Sequence, residues 1–165
     1  MQLDSSGFEV LSREECLGLL STAPIGRIVF TDHALPAVQP VNFQLNGHSI
    51  VIRTAIGSKL AAATRHAVVA FEADQFDPEL RTGWSVTTVG RARAVTDPDE
   101  INRLTALPLT AWAPGSRDHY IVVDAEQVSG RRIIGGAVAR RQAHSAPATE
   151  AGHAEKPFAG GPACR

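Results

Sequence analysis

The stretch AVQPVNFQLNGHSIVIRT, residues 37–54, reads as two β-strands meeting at a tight turn. Val41, Phe43 and Leu45 alternate along the first run, the period-two pattern of a half-buried strand. The second run, His48 to Thr54, carries Ile50, Val51 and Ile52. Between them stands Asn46-Gly47, a pair that tolerates the positive φ angles of a two-residue hairpin. Antiparallel neighbours joined this closely argue against an alternating parallel sheet, whose strands need long crossovers.

Upstream of this hairpin, GRIVFT (26–31) is short and β-branched, a further strand. Ser12 followed three residues later by Glu15 has the form of a capping box, and Cys16, Leu17, Leu19 and Leu20 supply an apolar face, so a first helix starts there and stops before Pro24. Downstream, Ser58 to Arg65 is rich in helix formers and follows Gly57. AVVAFEA (67–73) reads as a strand, residues 74–83 as an acidic loop containing Pro78, and WSVTTVGRARAV (84–95) as a long strand that Gly90 bends or bulges. Asp97-Pro98 opens another helix, with Ile101, Leu104 and Leu107 on one face. A last strand, His119 to Val123, resumes after a turn and runs to Ile133. This order predicts a mainly β domain over residues 8–135, an antiparallel barrel with peripheral helices. Residues 140–165 are rich in Ala, Gly, Pro and Glu with Phe158 as their one aromatic, and are expected to form a flexible tail.

The chain has 165 residues and a hydrophobic fraction of 44%, enough for one core. Its formal charge of −1, from 16 basic and 17 acidic side chains, offers no broad cationic surface for nucleic acid. No apolar run approaches the roughly 20 residues that span a bilayer, and the N-terminus lacks the form of a secretion signal, so no membrane partner and a cytoplasmic location are expected. Two cysteines and the scattered histidines give neither a disulfide framework nor a metal-ligand spacing.

Chemistry concentrates in Arg53-Thr54-Ala55-Ile56-Gly57-Ser58-Lys59. A guanidinium, two hydroxyls and an ammonium surround a turn that leads into a predicted helix start, where backbone N–H groups and the helix dipole favour an anion. Two readings fit these residues taken alone: a phosphate clamp, and a capped helix with solvated basic ends. Neither a Walker loop nor GxGxxG is present.

The segments Pro40-Val41-Asn42-Phe43, Ile52-Arg53-Thr54 with Gly57-Ser58-Lys59-Leu60, Ala67 to Phe71, and Trp84-Ser85-Val86 with Gly90-Arg91-Ala92 resemble, in order and spacing, the pyridoxamine 5′-phosphate oxidase-like split-barrel family. Within it they are most similar to the branch that contains the nitroimidazole-reductase-like proteins. The resemblance spans about Leu11 to Ile133 and includes the closing Val128 to Ile133. It implies a six-stranded antiparallel split barrel and a homodimer, with flavin mononucleotide (FMN) held between the subunits. Arg53, Thr54, Ser58 and Lys59 would hold the phosphate, the backbone of Pro40, Val41 and Asn42 would follow the ring edge, and Trp84 and Ser85 would approach from the second subunit. Two positions depart from the family pattern: Ser58 replaces a residue that is often basic, and Arg53 stands where that branch commonly carries His.

The resemblance further implies an FMN-dependent oxidoreductase acting on a small planar substrate, with no side chain as nucleophile. The alternatives are a flavin-binding or flavin-sensing protein without turnover and a deazaflavin-dependent reductase. Pyridoxamine phosphate oxidation itself is not favoured, because no second basic cluster lies near the C-terminus. Three further residues have two readings each: Trp84 as flavin contact or interface core, Trp112 as lid or loop anchor, and Asn42 as hydrogen-bond partner or outward polar residue.

Overall fold

The computed structural model of the chain describes residues 2–55, 66–110, 112, 115 and 117–134. The helix expected from Ser58 to Arg65 and the tail expected over 140–165 lie outside the described residues. Among those described are nine strands and two helices. They are β1 (Gln2–Leu3), β2 (Glu9–Val10), α1 (Arg13–Leu20), β3 (Ile25–Asp32), β4 (Leu35–Asn46), β5 (Ser49–Thr54), β6 (Val68–Asp77), β7 (Thr82–Ala94), α2 (Pro98–Thr105), β8 (His119–Asp124) and β9 (Gln127–Ile133).

Six strands close a ring in which every pairing is antiparallel: β3–β4, β4–β5, β5–β8, β8–β7, β7–β6 and β6–β3. The mainly β barrel expected from the sequence is therefore the fold. β9 pairs with the first half of β7, and β2 and β1 extend that flank. Inside the ring, Ile28, Phe30, Phe43, Ile52, Phe71 and Val86 are buried, with Phe43 and Phe71 meeting edge to face at 4.7 Å. Cys16 and Leu20 of α1 join this core, the burial raising the Cys16 thiol above its ordinary pKa. A second cluster under α2 joins Leu104 and Leu109 to Val51, Tyr120 and Val122. Covered on both faces, β5 and β8 read as near-continuous apolar runs instead of alternating ones.

Local chemistry explains the element ends. Ser12 and Glu15 complete the capping box of α1, and Asp97 accepts from the backbone of Asp99 and Glu100 at the start of α2. The expected hairpin forms one residue later than Asn46-Gly47: Asn46 pairs with Ser49, leaving Gly47-His48 as the loop. Of these two only Gly47 has a positive φ (60°), so glycine takes the first central position of a type II′ turn. The β3–β4 loop is also two residues long, with His33 (φ 48°) and Ala34 (φ 63°) both left-handed despite their side chains. The expected acidic loop over 74–83 shrinks to four residues, 78–81, because β6 and β7 pair on to Asp77 and Thr82. Glu72 and Asp74 then bind Arg27 of β3 at 2.9 and 3.1 Å, and Asp77 accepts from the turn amides of Glu79 and Leu80.

β7 must serve two neighbours, β9 up to Val89 and β8 from Ala92. The exchange happens at Gly90, where a Cβ would fall 1.6 Å from the carbonyl oxygen of Asp124. Arg13 of α1 fastens the adjoining turn, its guanidinium donating to the carbonyls of Ala125 and Glu126. Gly90→Ala is expected to destabilise the fold by on the order of 3 kcal/mol, the scale of overpacking against immovable backbone. Urea unfolding measures this, and a loss below about 0.5 kcal/mol would show that the exchange does not depend on close approach.

Candidate functional site

β4 also exchanges partners. Residues 35–42 pair with β3 and residues 43–46 with β5. In a two-residue hairpin the residues flanking the loop are a hydrogen-bonded pair, here Asp32 with Leu35 and Asn46 with Ser49. Alternation then turns the backbone groups of 37, 39 and 41 toward β3, and those of 36, 38, 40 and 42 toward the opposite edge. No strand among the described residues pairs with that edge over 35–42. Pro36 and Pro40 lie there, lacking an N–H where no ladder needs one, while Val38 and Asn42 retain theirs.

The same alternation makes Asn42 and Arg53 the next hydrogen-bonded pair of the β4–β5 ladder, yet the ladder ends at Phe43 and Ile52. The two strands part at this point. Arg53 and Thr54 stay on β5 through pairing with Tyr120 and His119 of β8. Thr54 is buried, and Arg53 is turned to the outer face, its carbon Cζ 5.9 Å from the centre of the Tyr120 ring. Its Nε donates to the carbonyl of Arg117, and Nη2 lies 3.3 Å from the Asp118 carboxylate.

Two of the expected clusters therefore flank one opening: Pro40, Val41 and Asn42 on β4, Arg53 and Thr54 on β5. Ser58 and Lys59, the rest of the expected clamp, lie outside the described residues. Ser85 is three strands away from β4 in the sheet, roughly 14 Å at the usual spacing, and lines a separate pocket of about 500 Å³ with Val10, Leu11, Thr87 and Ser129. Trp84 is in phase with Val86 and is turned into the core, 8% exposed.

Asn42 has a role that neither sequence reading contained. Its Nδ2 donates to the carbonyl of Pro24 at 3.2 Å, and its Oδ1 accepts from the backbone N–H of Trp112 at 2.9 Å. One side chain thus ties β4 to the α1–β3 turn and to the segment after α2. These three segments, 21–24, 42–44 and 108–110 with Trp112, line a pocket of about 260 Å³. Trp112 is held by its backbone while its side chain stays exposed, at 66% of the residue's surface. Because Asn42 acts between positions distant in sequence, only its amide chemistry hinted at this, and no spacing announced it.

A family model described as pyridoxamine 5′-phosphate oxidase matches residues 12–132. The chain belongs to the pyridoxamine 5′-phosphate oxidase-like family. Among its relatives, the uncharacterized protein Rv0080 of Mycobacterium tuberculosis is 40% identical over 129 residues, 75% of this chain and 84% of the relative. The solved FAD-binding protein of Mycobacterium smegmatis is 34% identical, with a TM-score of 0.61 over 78% of this chain and 100% of that one. A Corynebacterium glutamicum structure provisionally named pyridoxamine 5′-phosphate oxidase is 32% identical, with a TM-score of 0.70 over 78% and 95%. In this family member no helix among the described residues is long and apolar enough to cross a membrane, and no group of three or more His, Cys, Asp or Glu there is placed to hold a metal.

The segment after α2 is held in place through α2 itself. Arg93 of β7 grips Glu100 with two parallel hydrogen bonds, 2.9 and 2.6 Å, and Thr105 meets the Tyr120 hydroxyl at 3.2 Å. The Arg93 guanidinium holds the Glu100 carboxyl below its ordinary pKa. A depressed carboxylate adds stability that is present above its unfolded pKa, about 4.3, and is lost as pH falls through the folded value. Glu100→Gln is expected to cost about 0.5–1 kcal/mol at neutral pH, kept small by the exposure of Arg93. The gap between variant and parent should close as unfolding is measured at pH values descending from about 5. A gap independent of pH would mean that the charge of this pair contributes nothing.

Proposed function

We propose that this chain binds a flavin nucleotide at the parting of β4 and β5 and serves as a flavin-dependent oxidoreductase for a small planar substrate, working as a homodimer. The observation that carries the reading is the open β4 edge beside Arg53. On that edge the Asn42 N–H is a donor and the Pro40 carbonyl an acceptor, a pattern suited to the mixed donor and acceptor edge of an isoalloxazine ring. Beyond it, Arg53 offers a cation suited to phosphate, while the Thr54 hydroxyl, expected to share that role, is buried on the opposite face of β5. The donor set therefore fits the group. An arriving phosphate competes with the Arg117 carbonyl at Nε and with Asp118 at Nη2, and the Asp118 carboxylate is 68% exposed, so that ion pair is weak.

Bound flavin supplies the hydride and electron exchange. The chain's own residues orient and hold: the Pro40 to Asn42 backbone sets the ring edge, the Asn42 side chain keeps that strand against its two neighbouring segments, and Arg53 binds the anionic end. Ser58 and Lys59 complete the clamp on sequence grounds. FMN, expected from the sequence, and FAD, bound by the M. smegmatis neighbour, share the ring and first phosphate that these residues address. A second subunit brings Ser85 to the groove and covers Leu35 and Val38, which are 69% and 61% exposed.

Titration with FMN and with FAD, followed by the visible absorption of the bound ring, is expected to show saturable binding of at least one of them. Arg53→Ala should weaken it by about 1.5–3 kcal/mol, roughly ten- to a hundredfold. Unchanged affinity would remove Arg53 from the site. Sedimentation of the flavin-loaded protein should give a dimer, and a monomer under saturating flavin would contradict the two-subunit groove.

A further inference from the structure

We propose that the pocket of about 260 Å³ beside Asn42 is the substrate pocket of this flavin site and selects uncharged planar molecules over anionic ones, its catalytic role resting on the flavin reading above. Asn42 contributes its backbone N–H to the open β4 edge and its side chain to the pocket wall, so a molecule in the pocket is adjacent to whatever lies along that edge.

The described part of the pocket wall carries no charge. None of the described lining residues is ionisable: the polar groups are the hydroxyls of Ser21, Thr22 and Thr110 and the amides of Asn42 and Gln44. The sequence around Trp112 adds none, since positions 111, 113, 114 and 116 are Ala, Ala, Pro and Ser. Arg53, on the adjoining strand, is turned to the Arg117 carbonyl, Asp118 and the Tyr120 ring and does not line the pocket. An anion entering would shed water and meet no cation among the described residues, which disfavours it strongly. The Thr110 hydroxyl and the amides of Asn42 and Gln44 can instead donate to a neutral carbonyl or nitro group, the Ser21 and Thr22 hydroxyls being already donated to the Gly18 and Leu19 carbonyls. Trp112 supplies the flat apolar wall, an exposed indole on a backbone fixed by Asn42. The pocket is therefore unsuited to phosphorylated substrates, and the substrate class is a neutral, planar molecule with hydrogen-bond acceptors on its rim.

The test is calorimetric titration of the full chain with menadione and with naphthoquinone sulfonate, matched planar probes that differ chiefly in charge, first without flavin and then after flavin loading. Without flavin, menadione should bind saturably and the sulfonate roughly tenfold or more weakly, the penalty for an unpaired anion. Gln44→Lys adds a cation to the wall and should narrow the ratio to about threefold or less. Glu79→Gln raises the net charge equally at the distant β6–β7 loop and should leave the ratio unchanged. Flavin loading should shift menadione affinity by about threefold or more, as expected for contiguous sites. No menadione binding, equal binding of the sulfonate, a ratio indifferent to Gln44→Lys, or flavin loading without effect on menadione would each overturn the pocket. Failure of flavin to bind, with charge selectivity intact in the flavin-free chain, would overturn the flavin reading and the pocket's catalytic role but leave its selectivity standing.

Discussion

β4 divides its length between two partners, residues 35–42 pairing with β3 and residues 43–46 with β5, and the remainder of the site derives from that division. The strand leaves one partner and takes the other between Asn42 and Phe43, so two-thirds of one edge has hydrogen-bonding capacity and no strand among the described residues to use it. Such an edge ordinarily invites pairing with another chain. Pro36 and Pro40 remove two of its four N–H groups and so oppose a continuous ladder, while the N–H of Asn42 and the carbonyls remain for a ligand. An edge blunted against strands and still able to bind a flat heterocycle is what the proposed function requires.

The surrounding structure keeps that opening in one shape. β7 makes the complementary exchange at Gly90, which lets β8 and β9 lie on the same side of one long strand. Arg13 clips the β8–β9 turn from α1, and Arg93 clips α2 from β7. Tyr120 joins the last two levels: its hydroxyl meets Thr105 of α2, and its ring lies beneath the Arg53 guanidinium. Displacement of α2 would therefore reach both the phosphate side of the opening, through Tyr120, and the pocket side, through the segment fixed by Asn42.

Much of this was legible in the residues, and the misses have identifiable causes. The capping box at Ser12, the Asp97-Pro98 helix start and the apolar runs of β5 and β8 are local signals, and they appear where expected. The hairpin at Asn46-Gly47 shifted by one because only one positive φ was needed and Gly47 supplied it. The turn at His33-Ala34 had no Gly or Asn to announce it; its left-handed angles are imposed by the β3–β4 register. β6 outran its expected end because Glu72 and Asp74 face Arg27 on a neighbouring strand, a tertiary pairing that composition cannot show. For the site, Pro40 to Asn42 on β4 and Arg53 on β5 lie where the two strands part, while the Thr54 side chain is buried. Trp84, read either as a flavin contact or as interface core, follows the inward phase of Val86 and packs in the barrel core. The Asn42 bridge and the pocket it closes join three distant segments, and no window of sequence contains them.

A crystal structure of the protein grown with its flavin would test the open-edge site most directly. Density for the isoalloxazine is expected along the open edge of β4, with the Asn42 N–H and the Pro40 carbonyl at hydrogen-bond distance and the phosphate against Arg53. Flavin bound away from that edge, for instance wholly within the pocket beside Ser85 and Ser129, or a β4 edge paired with another strand, would contradict it.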